Sequence, residues 1–202
     1  MTSLTLAILG LLIVISPGAD FALVIKNSVI YGRKAGIRTS LGISLAISMH
    51  IAYSLLGISY LISQNQWLFS CIRYAGAAYL VYLGIKGLCE KVPQPHSVNK
   101  TPDVRQPRTF WQGFFCNGMN PKTMLFFLSI FSQLLTSDQI YTQQALLYGL
   151  YLMVLHGVWF CIVAWFVTTP KIQNLFRRFA RPVQRLTSLG LIGFGTLLAI
   201  RQ

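Results

Sequence analysis

ISPGADFALVIKNS, residues 15–28, interrupts a strongly apolar N-terminal run with a proline, a glycine and a carboxylate. A plain membrane anchor would carry leucine at these places. A helix in hydrocarbon satisfies its own backbone, and a break leaves N–H and C=O groups with no water to bind. Such a break is tolerable only where it faces protein or a wet cavity, so the stretch marks a site inside a membrane bundle.

The composition agrees. Of 202 residues, 54% are hydrophobic and 10% charged, with a mean hydropathy of +0.57, the balance of an integral membrane protein. Apolar stretches run over residues 4–25, 37–62, 67–88, 110–135, 145–167 and 186–200, the last reaching back toward Pro182. Spans of about 20 residues then make six helices, with no room for a sizeable soluble domain. Residues 92–107, with Pro93, Pro95, Pro102 and Pro107, read as a solvated linker. The expected fold is all-α and polytopic: a three-helix repeat over 1–91, a cytoplasmic linker over 92–109 and a second three-helix repeat over 110–202.

A net charge of +13 raises the question of nucleic acid, but the basic residues fall in alternate connections. Lys26, Arg33, Lys34 and Arg38 are assigned to the first. Lys86, Lys91, Lys100, Arg105 and Arg108 belong to the third, and Lys171, Arg177, Arg178, Arg181 and Arg185 to the fifth. The second and fourth carry none, so odd connections are expected inside and both termini outside. The opening MTS has no basic residue, and the first apolar run is read as a retained span. Cys71, Cys89, Cys116 and Cys161 have no C-x-x-C spacing and read as small packers, not as ligands or disulfide partners.

The break has an echo. Ser16 precedes Pro17 in the first span and Asn120 precedes Pro121 in the fourth, and a capping residue before proline is how a helix starts. Breaks in corresponding spans of two halves point to a transporter binding site. His50 follows Pro17 by 33 positions and His156 follows Pro121 by 35, with Gly42 and Gly149 shortly before each histidine. Arg73, Gly76 and Gly84 are matched more weakly by Arg185, Gly190 and Gly195. Three spans per half make the repeat inverted.

Half-helices restarting at Ser16-Pro17 and Asn120-Pro121 would present unpaired N–H groups and positive dipole ends near the midplane, where carboxylates bind. Asp20 supplies the opposite charge. A zwitterion fits that pair of poles. The candidate substrate-binding residues are Ser16, Pro17, Gly18, Asp20, Asn117, Asn120, Pro121 and Lys122, with Lys122 open to a substrate contact or a pairing with Asp20. Asp20, His50 and His156 are the candidates for proton coupling. A cation or metal exporter is the alternative, though ligands for it are thin. A membrane enzyme is remoter, because no H-E-x-x-H or G-x-S-x-G signature occurs. No cofactor or resident metal is expected.

With SPGADFALVIKNSVIYGRKAG in the first span and loop, YAGAAYLVYLGIKGL in the third and FWQGFFCNGMNPKTMLFFLSIF in the fourth, the chain resembles the LysE/RhtB family of amino-acid exporters over essentially its whole length. The resemblance implies a six-span permease in the inner membrane of a bacterium. It would move an amino acid such as threonine, homoserine, lysine or leucine outward on the proton gradient. Its partners would be that substrate, protons and the lipid bilayer; nucleic acid is not among them, and a homodimer is compatible. The family's first-span motif usually reads Pro-Gly-Pro followed by a polar residue, and here Ala19 stands in the place of the second proline.

Overall fold

The computed structural model describes residues 3–64, 66–89, 108–134 and 140–200. All regular structure among them is helical: α1 (Ser3–Ile15), α2 (Ala19–Tyr31), α3 (Arg33–Gln64), α4 (Gln66–Cys89), α5 (Thr109–Gly118), α6 (Pro121–Leu134), α7 (Ile140–Phe166) and α8 (Pro170–Ile200). The windows Arg33–Gly57, Gln143–Phe166 and Arg181–Ile200 are long and apolar enough to cross a membrane, and α1 with α2, bent by 52°, forms a fourth such unit. The segments expected as third and fourth spans are helical as α4 and as α5 with α6. Tyrosine, glycine and charge in α4, and the polar break in the other pair, dilute their hydropathy.

Both expected breaks are present. Pro17 has no N–H and disfavours helical geometry at Ser16, so α1 ends at Ile15. The restart lies further along than the sequence suggested: Gly18, extended at φ −167° and ψ −165°, is the N-cap and α2 begins at Ala19. In the second break α5 ends at Gly118 and α6 starts on Pro121, whose fixed φ suits a first helical residue. There the cap is Asn120, whose Oδ1 accepts the Lys122 N–H at 3.0 Å.

Two connections differ from the expectation. Lys26 lies within α2 and Arg33, Lys34 and Arg38 within α3, leaving Gly32 as the whole link between those helices. Lys171 to Arg185 are likewise the start of α8 and not a loop. Ile172, Leu175, Phe176 and Phe179 recur at helical spacing there, and Pro170 opens the helix. The linker expected over 92–107, with Lys91, Lys100 and Arg105, lies outside the described residues.

Packing sets the site between two apolar clusters. Phe126, Phe127, Ile130 and Phe131 of α6 are fully buried against Ile47, Leu80 and Leu152 of α3, α4 and α7. Phe21, Val24 and Ile25 of α2 pack with Ile43, Phe160 and Val163 of α3 and α7. Lipid is as apolar as leucine, so the gain here is close van der Waals contact more than removal from water. The outward face is apolar too: Leu4, Ile8, Leu56, Val154 and Leu186 are at least half exposed. The helices α3 and α5 approach backbone to backbone. A Cβ on Gly42 would stand 2.0 Å from the Phe110 carbonyl oxygen, and one on Gly113 would stand 2.1 Å from that of Thr39.

Candidate functional site

The first residues of α2 and α6 place one charged side chain from each half beside the other half's break. Asp20, second in α2, is 7% exposed. Its Oδ2 accepts N–H bonds from Asn117 and Asn120, each at 2.9 Å. Its Oδ1 is buried and has no hydrogen-bond partner among the described residues. An unmet buried acceptor costs roughly 1–3 kcal/mol, and more when charged, so Oδ1 is suited to accept from a further donor.

Lys122, second in α6, reaches the opposite way. Its Nζ donates to Ser16 Oγ at 2.8 Å and lies 3.3 Å from the carbonyl oxygens of both Ser16 and Pro17. These are oxygens released by the first break, and the ammonium holds them where water cannot. The Pro121 carbonyl is met by the Tyr79 hydroxyl at 3.3 Å.

The two breaks differ as anion sites. At α6, Pro121 has no N–H and that of Lys122 is taken by Asn120. At α2, Gly18 makes no side-chain cap, and the first N–H groups have no intrahelical partner. Donor capacity for a carboxylate therefore concentrates at Ala19 and Asp20.

The matched histidines also diverge. His50 is fully buried, with Nε2 3.1 Å from the Asn117 carbonyl oxygen and Nδ1 against the Tyr53 hydroxyl. A carbonyl only accepts, so Nε2 carries the proton and Nδ1 takes the Tyr53 O–H. Both nitrogens are spent, and the ring stacks on Phe127. His156 donates Nδ1–H to the Leu152 carbonyl at 2.8 Å. In the neutral ring Nε2 is then an acceptor, and His156 lines the pocket between the breaks.

That pocket is narrow and partly open at its mouth. Ser16, Gly18, Asp20, Asn120, Lys122 and His156 give it polar walls. Pro17, Pro121, Asn117 and His50 stand behind these and fix their positions. Sequence reasoning missed Thr123, Phe21 and Phe160, which also line it, and Tyr53, which orients His50. Only Tyr53 left a signal, at three residues from His50 on one helix face. Among the described residues, no three histidine, cysteine, aspartate or glutamate side chains gather as a metal site.

A bundle of apolar helices with a buried ion-lined pocket between two broken helices defines the class, a membrane protein with a polar site held inside the bundle. The model of the LysE type translocator family matches residues 11–202, and the chain belongs to that family. It is a membrane protein of a bacterial transporter family. It is 33% identical over 192 residues to the uncharacterized membrane protein YrhP of Bacillus subtilis (strain 168), covering 91% of each chain. It is 27% identical over 205 residues to the threonine efflux protein of Escherichia coli (strain K12), covering 99% of this chain and 98% of that one. The uncharacterized membrane protein YahN of the same organism is 29% identical over 176 residues, 85% of this chain and 77% of its own. No solved structure matches significantly.

Proposed function

We propose that this protein exports a free amino acid across the bacterial inner membrane, coupled to the proton gradient. The carrying observation is the unpartnered, buried Oδ1 of Asp20, in one pocket with the Lys122 ammonium and beside the uncapped start of α2. A substrate ammonium meets the carboxylate. Its carboxylate meets the N–H groups and positive end of α2, with Lys122 close by. The threonine efflux protein, similar along its whole length, supports the amino-acid reading.

Six spans in a 3+3 inverted repeat accommodate this site. Asp20 and Lys122 occupy the same position after each break, and the spans the repeat matches pack on each other, α3 on α7 and α4 on α8. Such pairing is compatible with a two-fold axis in the membrane plane, and rocking of the halves about it would give alternating access. The proton acceptor is His156. Asp20 Oδ2 takes two N–H bonds and its Oδ1 is given to the substrate ammonium, both nitrogens of His50 are engaged, and His156 Nε2 is the acceptor left over in the pocket. Measuring which amino acids accumulate in the medium of cells over-producing the protein, against an empty-vector control, tests the function. Accumulation of at least one is expected, and identical profiles would refute export.

A further inference from the structure

We infer that Asn27 closes the cytoplasmic route to the pocket: its side-chain amide ties α2 to α3 and α5, and breaking that tie opens Asp20 to the inside. The inference rests on the transport reading of the same pocket and adds the residue that controls access to it from within.

The half-helices that run between the breaks and the basic α2–α3 junction are α2 and α5. Lys26, Arg33, Lys34 and Arg38 gather at that junction, which is taken as the cytoplasmic side. Two polar rungs join the pair. At the pocket, Asn117 donates to Asp20 Oδ2 at 2.9 Å. About 10 Å further along α2, at a rise of roughly 1.5 Å per residue, Asn27 Nδ2 donates to Thr39 Oγ1 at 2.8 Å and to Gln112 Oε1 at 3.0 Å. Numbers ascend along α2 as they descend along α5, so the two helices run antiparallel on either side of one seam. Asp20, Val24 and Asn27 share a face of α2 by their spacing, and Val24, fully buried, stands between the rungs.

The lower rung can hold and can release. Thr39 Oγ1 donates to the Ala35 carbonyl at 2.9 Å, so toward Asn27 it only accepts. Both hydrogens of the Asn27 amide are thereby engaged, one on each neighbouring helix. Those helices act as one arm, because Gly113 of α5 lies against the Thr39 carbonyl with no room for a Cβ. Asn27 is 1% exposed, and its Oδ1 has no hydrogen-bond partner among the described residues. Water entering an opened seam would supply that donor and offset the bonds lost, so neither state is a trap. Gly32, at φ +86° and with nothing within 4 Å of where a Cβ would stand, is the joint between α2 and α3. At the matching place in the outer half, Ser129 is as far past Lys122 as Asn27 is past Asp20. Its hydroxyl turns back to the Leu125 carbonyl at 2.6 Å, within α6. The tie therefore belongs to the inner seam.

The test uses the purified full-length protein in liposomes, with Asn27→Cys and Gln112→Cys introduced together after the four native cysteines are replaced by alanine. Gln112 is exposed at the edge of the seam, within reach of a reagent. A short, reducible bifunctional thiol reagent should join the pair and abolish counterflow of a mixture of radiolabelled amino acids, and reduction should restore it. Joined protein that exchanges as fast as reduced protein would overturn the inference, as would failure of the reagent to join the pair. A second measurement needs no substrate. Val24→Cys in the same background, alone and with Asn27→Ala, is exposed to a membrane-impermeant maleimide on inside-out vesicles, with equal amounts of folded protein confirmed by gel filtration. Labelling should be several-fold faster when Asn27 is replaced, and equal rates would overturn the inference. Absence of exchange in the unmodified protein would instead refute the amino-acid function, and the labelling rates would still decide whether Asn27 closes the inner seam.

Discussion

Asp20 and Lys122 stand one residue past the first of their half-helices, and each is held by groups of the opposite break. A lone charge at the centre of a membrane helix costs roughly 2.5–3.5 kcal/mol on insertion scales, so two retained at matched positions beside the breaks call for a joint role. Bridging the breaks while leaving Oδ1 open satisfies that demand. The histidines show how position and chemistry separate: His50 supports the Asn117 carbonyl, whose side-chain amide holds Asp20, while His156 faces the pocket. His156→Gln is therefore predicted to lose efflux driven by a pH gradient but to keep exchange at equal pH. His50→Gln should keep the pH dependence of efflux and lower the thermal stability of the purified protein by about 1 kcal/mol per lost bond. Parallel loss of coupling in both variants would contradict this division. The polar residues around the breaks were legible in the sequence because charge and amide next to a proline are rare in apolar helices. Thr123, Phe21 and Phe160 were not, since their roles exist only once α2, α6 and α7 are packed.

The elements were readable where local chemistry alone decides them. Proline after serine or asparagine stops a helix whatever surrounds it, and both breaks stand where those pairs occur. The exact restart of α2 was not readable, because Gly18 and not Ser16 serves as N-cap, leaving Ser16 Oγ to accept from Lys122. The start of α8 was hidden by its charges, which read as a connection although its apolar residues keep helical spacing. The tight crossing of α3 and α5 depends on Gly42 and Gly113. Gly42→Ala places a methyl against a carbonyl oxygen, so the helices must part. Overpacking of this kind costs about 1–3 kcal/mol. The purified variant should melt several degrees lower than the wild type; an unchanged melting temperature would show that the crossing yields freely.

For the whole molecule, composition and the spacing of apolar runs indicated an all-helical membrane protein, and the family assignment agrees. We propose an orientation with both termini outside, because the basic residues gather around the α2–α3 junction, on the flanks of 90–107 and in the start of α8. Cysteine labelling from outside should reach positions introduced near both termini and miss those introduced near Gly32 and Thr169. A cytoplasmic N-terminus would dismantle the inverted repeat. The central claim is that a zwitterionic amino acid binds against Asp20 between the two breaks. Equilibrium binding of radiolabelled threonine to purified wild type and to Asp20→Asn, with equal melting temperatures confirmed, measures it most directly. The account predicts saturable binding to the wild type and, in the variant, a loss on the order of 100-fold from removal of a charged hydrogen-bond acceptor. Equal affinity in the two proteins would contradict it.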